Sequence, residues 1–374
     1  MSRSTFDVII VGAGIVGAAC ALECARKRMS VAIIDRAGVG GGATAAGMGH
    51  IVVMDDSEAQ FALTRYSQIL WRDLASELPA DCEYVETGTL WVAADEQEMD
   101  EVRRKRDFYA AKPVPVEVLD SPTLRQAEPN LRGGLAGALL VSNDAVVYAP
   151  CVAAYLVRRA QDLGVVLRLG CSVESLDDNG VRLQDGSLLM AGYMVNAAGA
   201  ASARLTPQLP VVPRKGHLLI TDRYPAFARH QLVELGYLKS AHKTESDSVA
   251  FNLQPRKTGQ LLIGSSRQYG HEAADVDRSI LGDMLERAIE YTPKLALLSA
   301  IRCWTGFRAA TPDKLPLIGR CPGSERVYAA TGHEGLGITT SLGTARLLAD
   351  QLTEADSSIP TLPYQAERSM VFHA

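Results

Sequence analysis

The chain has 374 residues, 47% of them hydrophobic, enough for two domains with full cores and no need of disulfides or metals for stability. A net charge of −5 gives no reason to expect nucleic acid or an anionic membrane as partner. Seven scattered cysteines, odd in number and without a CxxC pair, point to reduced thiols and a cytoplasmic setting, and no stretch is apolar for long enough to span a bilayer, although peripheral membrane association stays open.

Phe6 to Val11 is an apolar run suited to a buried parallel strand. It enters Gly12-Ala13-Gly14-Ile15-Val16-Gly17 and then a helix, and Ser30 to Ile34 reads as a second strand ending in Asp35-Arg36. In this pattern Gly12 permits a tight turn, Gly14 lets backbone approach a pyrophosphate, and Gly17 lets helix and strand pack closely. The helix N-terminus offers N–H groups and a positive dipole end to phosphate, and a carboxylate at position 35 suits ribose hydroxyls. Strand, turn, helix and acid at this spacing predict an ADP-containing dinucleotide; without a ligand, the same segment would be a glycine-tolerant βαβ unit.

Gly40 to His50 follows as a glycine and alanine loop containing Ala43, Thr44, Ala46, Gly47 and Met48. Small residues let backbone lie against a flat ligand, and the Thr44 hydroxyl suits phosphate or ribitol oxygens. Residues 56–79 are predicted helical, with Phe61, Leu63, Tyr66, Ile69, Leu70 and Leu74 as the apolar stripe. Tyr84 to Ala93 alternates like a strand, and 95–111 is a charged helix whose Arg103-Arg104-Lys105-Arg106 run reads as a solvated face.

Pro150 to Leu163 is a predicted helix, followed by strands at Val165–Leu169 and Ser172–Leu176. Met194 to Gly199 is a buried strand ending in the small residues Ala198 and Gly199. Residues 210–270 are strand-rich and 275–292 helical. Arg308 stands in an apolar, small-residue stretch, where a guanidinium suits either a substrate carboxylate or a structural salt bridge. Arg326 to Thr331 is the last buried strand, and Gly332 to Gly337 leads into a helix over Ile338–Leu352. This second glycine-rich helix start fits FAD better than NAD, because its dipole end would stabilise a reduced flavin at the N1–C2 edge. No HExxH, GxSxG or cluster-binding cysteine pattern is present.

Taken together, VGAGIVG, GATAAGM, PRKTG at Pro255–Gly259, GFRAATPDKLPLIG and ATGHEGLGI resemble the D-amino-acid oxidase superfamily of FAD enzymes, especially its glycine oxidase-like branch, over nearly the whole chain. Within it, the segment from Ala46 to Asp56 is similar to the catalytic beta subunits of D-hydroxyproline dehydrogenases. The resemblance implies an α/β (α+β) fold, with a Rossmann-like FAD-binding domain (1–82, 148–206 and 313–374) interleaved with a mixed-sheet substrate-binding domain (83–147 and 207–312). It implies noncovalent FAD on Gly12, Ala13, Gly14, Ile15, Val16, Gly17, Asp35, Arg36, Ala43, Thr44, Ala46, Gly47, Met48, Val173, Ala198, Gly199, Gly335, Leu336, Gly337, Ile338 and Thr339.

The implied activity is oxidation of a D-imino or D-amino acid, cis-4-hydroxy-D-proline or D-proline first, by hydride transfer to flavin, with Arg308 on the substrate carboxylate. Three departures matter. The second arginine found in the branch is Gly335 here, leaving Glu334 or His50 to shape polarity; Phe251 and Asn252 replace a substrate-side tyrosine; and Gly306 stands where a flavin-linking cysteine occurs in sarcosine oxidases, which leaves Cys303 as a structural residue. Electron-carrying partner subunits follow from the hydroxyproline resemblance. The rivals are a glycine or sarcosine oxidase using O2, a flavin-binding scaffold subunit without turnover, and an NAD-dependent dehydrogenase.

Overall fold

The computed structural model describes residues 6–236 and 247–368; the 237–246 part of the strand-rich stretch lies outside them. The chain divides into two compact units, one made of residues 1–82, 147–213 and 307–374, the other of 83–146 and 214–306. The last division falls between Gly306 and Phe307, inside the strand Ala300–Ala310. Arg308 therefore belongs to the same unit as the opening glycine turn, which differs from an uninterrupted 207–312 domain.

The first unit is built on a six-stranded sheet in the order Leu317–Arg320, Val327–Thr331, Ala191–Asn196, Phe6–Val11, Val31–Asp35, Val166–Leu169. All neighbours are parallel except the first pair. The central strands are apolar because helices cover both faces, so Val8, Ile9, Ile10, Ala32, Ile33 and Ile34 are buried. Register decides where ligands go. Val11 pairs with both Ile34 and Asn196, and Asn196 with Ala329. The carboxyl ends of four strands are thus level, and every glycine-rich turn predicted from the sequence leaves from that one edge.

Helices Ile15–Arg26 and Gly337–Leu352 pack along each other, joined at their rims by Lys27–Asp350 (2.9 Å) and Arg346–Glu23 (3.0 Å). The helix Glu58–Ala75 approaches Gly343 so closely that a β-carbon there would lie 2.3 Å from Ser67 Oγ. Its predicted stripe is partly revised. Phe61, Leu63 and Leu74 are buried, but Ile69 is exposed, and Trp71, anchored by its Nε1–H on Thr339 O (2.9 Å), fills the core instead.

The second unit holds an eight-stranded mixed sheet in the order Ala300–Ala310, Val212–Thr221, Leu261–Arg267, Ser248–Pro255, Gln231–Glu234, Thr89–Ala93, Gly137–Val141, Val116–Asp120. Helix Arg278–Tyr291, capped by Asp277, seals one face, and Tyr291 stacks on Phe251 with centroids 4.7 Å apart. The charged helix is present as Glu96–Ala110, and Arg103, Arg104 and Arg106 lie in solvent paired to acids of the same helix. Lys105 corrects the solvated-face expectation: it is fully buried, its ammonium 5.0 Å from the Trp91 ring centroid and 5.9 Å from that of Tyr109. Two aromatic faces stabilise a cation in a way that a run of four basic letters does not reveal.

Candidate active site

The opening fingerprint folds as its glycines require. Gly12 has φ +113°, and a β-carbon there would sit 2.4 Å from Ala197 O; one on Gly17 would sit 1.9 Å from Gly12 O. Gly14, by contrast, has only Thr44 Oγ1 within reach, at 3.2 Å from the same construction. Gly12 and Gly17 thus meet the protein's own backbone, whereas Gly14 leaves backbone open beside the start of helix Ile15–Arg26. Gly14 caps that helix without any side chain, which is the cradle a pyrophosphate needs.

Two side chains hold this cradle in shape. Asp35, the last residue of its strand, accepts the Ala13 N–H on Oδ2 and the Ala37 N–H on Oδ1, both at 2.8 Å. Each carboxylate oxygen retains lone-pair capacity for a ribose hydroxyl. Thr44 accepts the Ile15 N–H at 3.0 Å, so one N–H of the helix start is already engaged and the Thr44 proton is left to donate outward. Neighbouring Arg36 is exposed. The Cys171 N–H donates to Asp35 O (3.1 Å), which brings the approach to Val173, first residue of the strand Val173–Asp177, beside the Asp35 turn.

The turn after Ala191–Asn196 lies against Gly12 through Ala197 and Ala198. Asn196, fully buried and not singled out from the sequence, shapes it. Its Nδ2 donates to Ser202 O and Thr206 Oγ1, and its Oδ1 accepts the Ala198 N–H. Thr331 donates to Gly199 O (3.1 Å), tying in the next strand. A lone Asn closing an otherwise apolar strand is the signal that would have found it.

The Gly40 loop runs from the first helix start to the second. Ala43–Ala46 forms one helical turn with Thr44 buried and Ala43 exposed. A β-carbon on Gly47 would lie 3.0 Å from Ile338 Cδ1, so that loop and helix start touch. Met48 is buried. Thr339 donates to His50 O (2.8 Å) and accepts the Val52 N–H (3.3 Å), clamping the loop to the first turn of helix Gly337–Leu352. That helix starts at Leu336 with no side-chain cap, leaving its N–H groups directed outward. Just before it, His333 is buried with Nε2 3.0 Å from Thr344 Oγ1, and burial pushes its pKa down to about 3.

Arg308 reaches this second helix start. The Glu334 N–H donates to Ala309 O at 2.8 Å, joining the Arg308 strand to the glycine loop. A β-carbon on Gly335 would stand 3.6 Å from Arg308 Nε. Glu334 adopts φ +53°, a conformation that costs a non-glycine residue about 1 kcal/mol or more. Arg308 is half-buried, a setting in which a guanidinium binds a carboxylate through two charge-assisted bonds. Cys303, expected to be structural, is exposed. It lies five residues before Arg308 in the same strand, an odd interval that directs the two side chains to opposite faces.

One unit therefore carries a pyrophosphate cradle with a ribose acceptor bonded to it, and a small-residue loop that links the cradle to a second uncapped helix start and an arginine. An elongated dinucleotide with a flat second half fits these residues, and FAD is such a molecule. A family model described as DAO, FAD dependent oxidoreductase, matches residues 7–351. The glycine oxidase of Geobacillus kaustophilus is 29% identical over 379 residues, covering 97% of each chain, and the crystal structure of the glycine oxidase from that organism superposes with a TM-score of 0.86 over 97% of this chain and 98% of that one, at 28% identity. A hydrogen cyanide synthase subunit from Pseudomonas protegens is 28% identical, over 97% of this chain and 96% of its own. The iminodiacetate oxidase of Chelativorans sp. BNC1 gives a TM-score of 0.79 at 25% identity, covering 96% and 98%.

Proposed function

The chain belongs to the DAO family of FAD-dependent oxidoreductases, and from that premise we propose that it oxidises the C–N bond of a small amino or imino acid whose carboxylate rests on Arg308. The observation that carries this reading is the guanidinium at the second helix start, its Nε 3.6 Å from where a β-carbon on Gly335 would stand. Glycine oxidase and iminodiacetate oxidase, two of the relatives, are named for substrates with a carboxylate on the carbon beside nitrogen. One planar carboxylate clamp fixes such a substrate in both position and orientation, and positioning is most of what this chemistry needs from protein.

FAD, when bound, supplies the acceptor for the α-carbon hydride, and the substrate is left as an imine. Gly12 to Gly17 and Thr44 would hold the pyrophosphate and Asp35 the ribose, and the N–H groups from Gly337 onward would favour negative charge on the flavin. Arg308 orients the substrate. Glu334 and His50 set the polarity around the substrate nitrogen. Only an uncharged amine has the lone pair that drives hydride departure, so turnover rises with pH as substrate deprotonates.

Within this class we propose a cyclic D-imino acid, cis-4-hydroxy-D-proline or D-proline, yielding the cyclic imine, with electrons passed to partner subunits. The similarity of Ala46–Asp56 to D-hydroxyproline dehydrogenases supports this, as does the space that Gly335 leaves beside Arg308. The likeness to glycine oxidases favours a second reading, a glycine or sarcosine oxidase that reduces O2. Anaerobic bleaching of the flavin with D- and L-proline derivatives, glycine, sarcosine and iminodiacetate separates them. Bleaching by D-proline derivatives alone supports the first, and H2O2 release with glycine the second. No bleaching by any amino acid overturns both and leaves a scaffold subunit.

A further inference from the structure

We propose that the edge of the second unit around Pro293–Cys303 is a docking prong for anionic phospholipid surfaces. Leu297 is 84% exposed, the most exposed large apolar side chain among the described residues, and Ile301, four residues on, is 58% exposed. Ala300 to Cys303 begin an edge strand and are exposed in succession. Successive strand residues point to opposite faces, so both faces of the sheet edge are open to solvent here. It is nevertheless fixed in place: the Ser299 N–H donates to Tyr224 Oη (2.8 Å) and the Asp222 N–H to Ser299 O (2.8 Å).

Within the prong's own segment the charges are of one sign. Thr292 to Trp304 contains Lys294 and Arg302 and no acid, in a chain of net charge −5. Lys294 bonds only to the neutral Asn130 Oδ1 (3.0 Å), and Arg302 lies over the Trp304 ring at 5.5 Å; neither meets an acid among the described residues. The neighbouring Arg223 is exposed beside the equally exposed Asp222, so that pair adds no net charge. Charges beyond a Debye length, about 8 Å in physiological salt, are screened, so a contacting surface feels these cations rather than the chain's overall charge.

A second copy is a poor occupant. Two-fold pairing of this edge with itself would bring Arg302 and Lys294 of each chain toward those of the other, against like-charge repulsion. Aliphatic side chains projecting between unpaired cations, with Trp304 and Tyr224 at their base, match a bilayer interface. There apolar tips enter the acyl boundary, aromatic rings sit at headgroup level, and Lys and Arg meet anionic lipid.

The test is co-sedimentation of the flavin-loaded full chain with vesicles of phosphatidylcholine alone or mixed with phosphatidylglycerol. Binding is expected to the mixed vesicles, weakening with added salt. Leu297→Ser should lower partition about ten-fold, the effect of withdrawing one leucine from an apolar phase. Lys294→Gln and Arg302→Gln should each lower it about five-fold. Both kinds of variant lie in surface positions, and an unchanged flavin spectrum verifies folding. Equal partition onto the two vesicle types, or no loss in Leu297→Ser, overturns the proposal. So does a chain that ignores vesicles but doubles its mass in solution through Leu297, which makes the edge a contact between copies, or one that ignores vesicles and binds an acidic protein through the same residues.

Discussion

Replacing Asp35 by asparagine separates the two tasks of this carboxylate, shaping the glycine turn and holding a ribose. The side chain accepts the Ala13 and Ala37 N–H groups at 2.8 Å, one on each oxygen. Asparagine is nearly the same size but offers one acceptor oxygen, so its amide N–H2 must face one of the two backbone donors. Losing one charge-assisted hydrogen bond costs about 1.5–3 kcal/mol, and the donor–donor clash adds to it. The apoprotein should therefore lose about 2–3 kcal/mol in denaturant unfolding. FAD affinity should fall further, because a charged acceptor for a ribose hydroxyl is lost; a second bond of about 1.5–3 kcal/mol corresponds to about 10- to 100-fold in Kd. Recovery of FAD fluorescence on dilution measures the second quantity independently of the first. Reduced apoprotein stability with wild-type FAD affinity would show that Asp35 only ties the loop. No change in either would refute the reasoning altogether.

Arg308→Ala should raise KM by about 100-fold, the loss of a two-pronged charged contact, while FAD stays bound; an unchanged KM in steady-state kinetics removes Arg308 from the carboxylate. Gly343→Ala should cost about 1–3 kcal/mol of thermal stability, because its β-carbon would lie 2.3 Å from Ser67 Oγ, and Ser67→Ala should recover part of that loss; a double mutant no better than the single one argues against this contact. His333 has a folded pKa of about 3 against 6.5 unfolded, so the unfolded chain binds its proton first. Its contribution is complete above pH 6.5 and is lost as pH falls toward 3, and His333→Gln should flatten the acid limb of a stability–pH curve. Acid precipitation should release all flavin into the supernatant, since Gly306 offers no thiol and Cys303 points to the other face from Arg308.

Local pattern made much of this legible in the sequence. The strand Phe6–Val11, the glycine turn, the helix that follows and the acid at the end of the second strand obey spacing rules acting within thirty residues. The level strand ends that gather all the turns on one edge follow from the parallel topology these units impose. The edge strand Val116–Asp120 and its inner neighbour Gly137–Val141 were harder: each is five residues long, and neither carries a sustained apolar alternation. The bond from Ile15 to Thr44 spans 29 residues and that from Ala13 to Asp35 spans 22, and both depend on loop paths that no periodicity encodes. Lys105 and Cys303 went astray for one reason. Exposure was inferred from residue type, whereas Lys105 has two aromatic faces to shelter it and Cys303 sits on the open edge strand of its sheet.

The first unit is drawn from three separated stretches of chain, and this sets a timetable for its birth on the ribosome. Strand Phe6–Val11 is synthesised first, but its sheet reaches Val327–Thr331 through Ala191–Asn196, and the helix packed along its own helix closes only at Leu352. A nascent chain thus carries a βαβ fragment whose first strand gains its second neighbour only at Ala191–Asn196 and whose helix lacks its Gly337–Leu352 partner through nearly the whole of translation, while the second unit's inserted strands emerge in between. Chains that stop short of the last helix should accumulate as chaperone clients, since the second uncapped helix start and the helix that packs along the first arrive only with the final segment.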